Sequence, residues 1–481
     1  IGHLRNSCIG DTMARLYKFA GYNVEIHNYI DDLGNQLADT VVGLLHIPLA
    51  KKYHRFGDYC WDLYTKVNQA YQEDPSLLKK REEVLHQLEA GNNNTAWQGY
   101  LVAEQIVREQ IEEMAEFGIG YDLLIWESDI VREGFWNKAF ELLKQSEQFV
   151  KETSGPLAGC WILKQSNTNE NDSEHIQDKV LVRSNGILTY TAKDIAYHLW
   201  KFGLLDGVDF AYHRFQDQLY TTFRHGSKEF SYGQADTVLN VIDQRQEYPQ
   251  KMVKEALEAI GFHKQAENLH HISYGVVSLS PATASMLGID TSDQKTSYTM
   301  SGRKGIGIKI SELVEQMEKV IEEKRTRKSG ISSREIAIAA IRYYLLRFGL
   351  KTEIIFDMDQ ATEVSGNTGV YLLYGYTRGF NILKKAAVKT IEKPEKINRD
   401  DLHPSELALL RHMITWHDTV EFALKDQAPN YICNYAFELC SLFNQFYTQC
   451  PVIKEENTPK RDFRLWLTNV YLQHLEEALT I

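Results

Sequence analysis

The chain opens IGHLRNSCIGDTMARLYKFAGYNVEIHNYI, residues 1–30, and this stretch decides the fold class. Leu4, Cys8, Ile9, Met13, Leu16 and Phe19 recur at three- and four-residue steps, the spacing of one face of a helix. Gly21 stands where a left-handed residue ends such a helix. Val24 to Ile30 then alternates like a strand. A helix running into a strand is part of an α/β layer, and the strand that should precede the helix is missing. We therefore expect an α/β fold whose first unit is incomplete, the parent sequence continuing before Ile1.

Working outward, residues 35–150 read as mostly helical. Leu78–Glu89 has the pattern of a charged, solvated helix, broken by Gly91-Asn92-Asn93-Asn94. Strand candidates follow at Gly159–Leu163, Lys179–Val182 and Thr237–Ile242, with helix candidates at Ala192–Phe202 and Pro249–Ala259. That alternation predicts a parallel sheet. From about Ser332 the pattern is wholly helical. Glu406–Leu424 and Asn434–Tyr447 are long amphipathic segments, the second burying Tyr435, Leu439, Phe443 and Phe446 on one stripe.

Composition narrows the function. With 53 basic and 65 acidic residues, the formal charge is 53 − 65 = −12, which argues against coating nucleic acid by bulk positive charge but leaves room for a local basic face. Length suggests about three domains. No apolar run reaches the ~18 residues of a membrane span. The six cysteines, Cys8, Cys60, Cys160, Cys433, Cys440 and Cys450, contain no C-x2-C pair, so no zinc ribbon or redox dithiol is expected. They fit a reducing, cytoplasmic compartment.

Two elements handle anions. Gly2-His3 opens a helix, and backbone N–H groups there favour a phosphate. Thr299-Met300-Ser301-Gly302-Arg303-Lys304-Gly305 is a glycine-bracketed loop with two adjacent cations, able to close over a polyphosphate. Alone, either could be a chance helix start or a solvated turn. Together they point to a nucleotide site assembled from both halves of an α/β fold.

The motifs resemble, in order, those of the arginyl-tRNA synthetases of class I. Ile1-Gly2-His3-Leu4-Arg5 is similar to the end of the HIGH signature with its following Leu-Arg. Asn28 to Gln36 resembles N-Y-x-G-D-W-G-x-Q, with Asp31 in place of a glycine and Leu33 in place of the tryptophan. Tyr121-Asp122 through Trp126-Glu127-Ser128 resembles F-D-x-W-x-x-E-S. Leu181 to Gly186 with Thr189 to Asp194 resembles L-x-R-S-D-G-x-x-T-Y-x-x-R-D. Val241 to Gln246 resembles a strand supplying a pocket glutamine, and Pro249 stands where the family often has histidine. Met300 to Gly305 is similar to a KMSKS variant, with Thr299 and Gly302 replacing its lysines. Gly366 to Tyr374 resembles G-N-T-G-P-Y-L-Q-Y, and Asn434 to Tyr447 the core helix of the anticodon bundle.

The resemblance implies a Rossmann-like, parallel-sheet α/β catalytic domain over 1–355 with a mostly helical insertion at about 45–180. An all-α anticodon-binding bundle would follow over 356–481. It implies ATP-dependent ligation of L-arginine to tRNA(Arg) through an arginyl-adenylate, with Mg²⁺ and no protein-held metal. Gly2, His3, Met300, Ser301, Arg303 and Lys304 would be catalytic; ATP would be held by His3, His271, Gly275, Ser301, Arg303 and Lys304. Tyr190, Asp194 and Gln246 would form the arginine pocket, since a guanidinium is a five-donor fork best met by a carboxylate. Asn367, Tyr371, Tyr374 and Arg378 would meet tRNA. The basic runs Lys324–Lys328 and Arg378, Lys384, Lys385 and Lys389 add local charge, or are simply solvated faces. For Asp194 the plainer reading is a helix-start acid, and for Tyr435 it is core packing. A monomer is expected. A catalytically inactive, synthetase-like binder of RNA or protein is the alternative, disfavoured by the retained Tyr190, Asp194 and Gln246.

Overall fold

The computed structural model describes residues 1–49, 51–164, 179–299, 308–325, 330–387, 391–393 and 399–481. Helix α1 (Gly2–Phe19) leads into strand β1 (His27–Ile30). Four helices follow, α2 (Asn35–His46), α3 (Phe56–Glu73), α4 (Ser76–Ala90) and α5 (Asn94–Glu116), before β2 (Leu123–Trp126). Next come α6 (Glu127–Arg132), α7 (Phe135–Leu143), β3 (Phe149–Lys151), β4 (Trp161–Leu163), β5 (Lys179–Val182) and α8 (Tyr190–Lys201). A hairpin, β6 (Tyr212–Gln216) and β7 (Leu219–Thr222), precedes β8 (Val238–Asp243), α9 (Glu247–Ala259), α10 (His263–Glu267) and β9 (Leu269–Tyr274). After β10 (Val277–Leu279), α11 (Pro281–Met286) and β11 (Tyr298–Thr299) come α12 (Ile310–Lys324), α13 (Ser333–Leu346), β12 (Ile354–Phe356) and α14 (Met358–Ala361). The chain ends in α15 (Gly369–Ala386), α16 (Pro404–Ile414), α17 (Trp416–Lys425), α18 (Asn430–Gln449) and α19 (Thr458–Thr480).

Strands β1 and β2 pair in parallel, β2 pairs in parallel with β7, and β6 closes that sheet antiparallel to β7. Strands β8 and β9 form a second parallel pair. The α/β expectation is met, and four local expectations are corrected. Leu123–Trp126 lies in a stretch read as helical and within residues 45–180, yet it is a strand of the main sheet. All four of its residues are buried; a strand covered on both faces shows a continuous apolar run, which periodicity cannot separate from a helix. The expected insertion is thus interrupted by the main sheet. Residues 161–163 and 179–182 are strands, but with β3 they form an antiparallel meander rather than part of the parallel sheet. Sequence-local strands can pair without a crossover.

Beyond Ser332 the chain is not wholly helical, because β12 pairs in parallel with β10. Glu406–Leu424 is two helices, broken at Thr415, whose hydroxyl donates to the His412 carbonyl at 2.8 Å. Elsewhere local chemistry fixes the ends. Asn93 caps α5 through the Ala96 N–H, and Ser332 and Glu335 form a capping box on α13. Tyr435, Leu439, Phe443 and Phe446 are buried as expected, with Cys433, Cys440, α1, α12 and α13 in one continuous core.

Two features position the site. Parallel β1 and β2 carry their C-terminal ends to one edge, where Asp31, Asp32 and Glu127 follow. Helix α8 is buried on nearly every side, from Thr191 to Trp200, so its polar residues have no water to turn to and must find partners inside.

Candidate active site

The N-terminal turn of α8 presents Tyr190, Lys193 and Asp194 to the strand ends. Lys193 Nζ donates to Glu127 Oε1 at 2.5 Å, and Tyr29 Oη donates to Glu127 Oε2 at 2.7 Å. Both oxygens of this buried carboxylate are therefore occupied. Asp194 is also buried, at 4% exposure, yet its Oδ2 has no hydrogen-bond partner. Burial pushes the Asp194 carboxyl well above the usual range; Lys201 opposes the shift and Glu127 adds to it. Asp31 accepts from the N–H groups of Leu33 and Gly34, and shielding from water pushes it up to about 6, Glu127 adding and Lys193 opposing. Three carboxylates thus face one another, with Lys193 between them and Lys201 behind Asp194. An open, desolvated carboxylate is a strong attractor for a planar cation. Tyr190, on the same helix face four residues before Asp194, is 41% exposed.

A second network holds Asp194 from behind. His198 Nδ1 lies 2.6 Å from the Asp194 carbonyl, and His198 Nε2 lies 2.6 Å from Asn240 Nδ2 and 3.2 Å from Lys201 Nζ. The donors around Nε2 place the proton on Nδ1, which donates to that carbonyl. Burial, then Lys201, pulls the His198 pKa down to about 3, so the ring stays neutral. Asn240 also donates to Gln250 Oε1 at 2.6 Å and accepts from Lys201 at 3.0 Å. Burial lowers the Lys201 pKa, and Asp194 raises it. Asp32, below, accepts from the Ser128 N–H at 2.9 Å and is pushed up to about 7, chiefly by burial.

The other predicted residues distribute as follows. Gly2 and His3 lie in the first turn of α1, and the Asn6 amide donates to the Val241 carbonyl, docking that turn against β8. Arg5 is fully buried and donates to the carbonyls of Gly275, Thr352, Gly349 and Leu350 at 2.5, 2.9, 3.3 and 3.1 Å. It ties α1 to the turn after β9 and to the segment after α13. Gly275 accepts from Arg5, and a Cβ there would stand 2.7 Å from the Thr352 carbonyl; glycine is required by that close backbone approach. His271 Nε2 lies 2.9 Å from the Ile242 carbonyl. Gln246 is exposed on the turn after β8, and Gln250, one helical turn on, is the glutamine that reaches the α8 network. Met300, Ser301, Arg303 and Lys304 lie outside the described residues, as do Thr326–Lys328 and Lys389.

In the C-terminal helices, Arg378 lies over the rings of Tyr374 and Tyr447, at 4.5 and 4.9 Å from their centroids. It also donates to Asn444, whose amide donates to Tyr371 Oη at 2.8 Å. Tyr374 and Tyr447 are exposed, so Tyr371, Tyr374 and Arg378 form one surface group. Asn367 faces inward, accepting from Tyr343 and, through its carbonyl, from Arg347. Lys324 is engaged by Asp359 at 3.4 Å and donates to Thr362 at 2.9 Å. Sequence reading gave no role to Glu127, Lys193, His198, Lys201, Asn240 or Gln250. Their pairings span up to 98 residues, and no periodicity marks them.

Residues 1–204 match the family model described as the tRNA synthetases class I (R) catalytic domain, and residues 372–481 match the DALR anticodon binding domain. The chain is 35% identical to the arginine–tRNA ligase of Pyrococcus abyssi, covering 100% of this chain and 77% of that one. Identity to an arginine–tRNA ligase of Thermus thermophilus is 32%, over 93% of this chain and 72% of the relative. Among solved structures, Thermus thermophilus arginyl-tRNA synthetase superposes with a TM-score of 0.81 at 29% identity, covering 100% of this chain and 79% of that one. The chain belongs to the arginyl-tRNA synthetases of class I.

Proposed function

We infer that the protein ligates L-arginine to its cognate tRNA at the expense of ATP. The observation that carries the substrate is Asp194, buried with one oxygen unpaired and with Glu127 and Asp31 nearby. A guanidinium supplies paired donors to such a group; a neutral isostere leaves the carboxylate desolvated and unpaired. In the first step an arginine carboxylate oxygen attacks the α-phosphorus of ATP and pyrophosphate leaves. In the second, a terminal ribose hydroxyl of tRNA attacks the acyl carbon and AMP leaves. Neither step needs a protein nucleophile, so orientation and charge stabilisation carry the rate.

We assign arginine binding to Asp194 and Tyr190, with Gln246 as a further wall. The α1 N-terminus with Gly2 and His3 would receive phosphate, supported by its docking beside β8. His271 and Gly275 would line the nucleotide side, and Met300, Ser301, Arg303 and Lys304 would close over it. Asn367, Tyr371, Tyr374 and Arg378 are proposed to serve tRNA, with the exposed Tyr374 ring as a stacking surface held by Arg378. Mg²⁺ is proposed to arrive with the nucleotide phosphates. We propose a catalytic domain at 1–355 and an anticodon domain at 356–481; β12, the last strand among the described residues, ends at Phe356, within one residue of that boundary, and the anticodon-domain match begins at 372. A cytoplasmic monomer is proposed; the six free cysteines support a reducing compartment. Among the described residues no helix is long and apolar enough to cross a membrane.

The test is arginyl-tRNA formation with arginine and with citrulline. Arginine should be charged, and citrulline disfavoured by roughly 10³-fold or more. Tight tRNA binding with no arginyl transfer would favour the inactive binder instead.

A further inference from the structure

We propose that Lys193 and Glu127 form a built-in counter-ion pair that reserves Asp194 for the guanidinium, making Lys193 a positioning residue for amino-acid recognition. This rests on the arginine reading above. The pocket holds three carboxylates, but only one can be the productive acceptor for a single planar cation. Glu127 is removed from competition: Lys193 fills Oε1 and Tyr29 fills Oε2. The pair is dry, with side chains 9% and 3% exposed, so its geometry is held without water. Asp194, the next residue along α8, turns away from that pair by the helical step of about 100°. Its stripe is shared with Tyr190, Tyr197, His198 and Lys201.

Lys193 therefore does two things. It cancels a neighbouring negative charge, which would otherwise hold arginine in the wrong place and oppose ionisation of Asp194. It also ties the first turn of α8 to the end of β2, fixing where Asp194 and Tyr190 stand. The groups that face Asp194 are Lys193, Lys201, Tyr190, Tyr197 and His198 from α8, Glu127 from α6, Asp31 from the loop after β1, and Tyr29 from β1. Lysine and arginine both supply the needed charge; glutamine does not.

The experiment is steady-state arginylation by the full-length enzyme, with arginine varied from pH 6 to 8.5. Lys193→Gln should raise KM for arginine about 10-fold or more with kcat changed far less. It should also move the acid limb of kcat/KM to higher pH, because a cation that favoured ionised Asp194 is gone. Lys193→Arg should restore both. A merely structural role would lower kcat or stability without moving the acid limb. Tyr29→Phe serves as the second variant, removing a hydrogen bond from Glu127 while keeping every charge near Asp194. It should raise KM a few-fold and leave the acid limb in place. Unchanged KM and pH profile in Lys193→Gln would overturn the proposal. So would a poorly folding Lys193→Gln accompanied by an unaltered KM in Tyr29→Phe. A wild-type enzyme that charges no arginine would overturn the functional reading itself, and the pair with it.

Discussion

Two buried ion pairs of nearly equal length lie in different parts of this molecule. In the C-terminal helices, Arg464 Nε meets Glu406 Oε1 at 2.6 Å, with side chains 4% and 0% exposed. In the α/β part, Lys193 meets Glu127 at 2.5 Å. The first is saturated. Arg464 also donates to the Pro451 carbonyl at 2.7 Å and to Glu455 at 2.6 Å, and Glu406 caps α16 through the His403 N–H. The second sits beside Asp31 and Asp194, and Asp194 keeps an oxygen without a partner. The same chemistry makes architecture where every acceptor is met, and supports the binding site we propose where one is left open.

That contrast can be broken most directly at Arg464. Arg464→Met should cost about 3–5 kcal/mol of stability, because it strands Glu406 in the interior. Denaturant unfolding would measure it, and an effect under about 1 kcal/mol would show the pair to be dispensable. Asp194→Asn should behave in the opposite sense. It removes a carboxylate that burial disfavours, so thermal stability should hold or rise, while kcat/KM for arginine falls about 100-fold, near 3 kcal/mol. A parallel loss of stability and activity would mean Asp194 is structural.

At the surface of the C-terminal helices, Tyr374→Ala should raise KM for tRNA by about 10-fold, in the range of one lost base stack, with KM for arginine unchanged. An effect on arginine alone would remove Tyr374 from the RNA face.

The smallest expected effect concerns Asp32, whose pKa in the folded chain is about 7. A carboxyl raised on folding gives stability that is complete below its unfolded pKa and is lost as pH rises through the folded one. The window here is about 4 to 7. Relative to wild type, Asp32→Asn should therefore gain stability as pH rises through that window, by about 1 kcal/mol for each pH unit, read by denaturant unfolding. A difference independent of pH would mean that Asp32 is ionised throughout.

Much of the fold was legible because its signals are local. The spacing of Leu4 to Phe19 and the stripe from Tyr435 to Phe446 follow from helical geometry. Tyr190 and Asp194 could be placed on one face by counting four residues. The misses share a cause. Leu123–Trp126 has no alternation, since both its faces are covered. Arg5 had no structural role in the sequence pattern, and its guanidinium meets four carbonyls from residues 275 to 352. Gln250, which carries the buried contact to Asn240, has no local pattern that marks it.

What the sequence by itself determined is where most of the helices run and that the chain is α/β with a mostly helical end. Only the tertiary structure decided which charges are spent on one another. Residues 127 and 193 lie 66 positions apart and become partners because parallel pairing carries β2 to the edge where α8 begins. Whether a carboxylate is free depends on its neighbours in space and its access to water, and neither is written in the order of the residues.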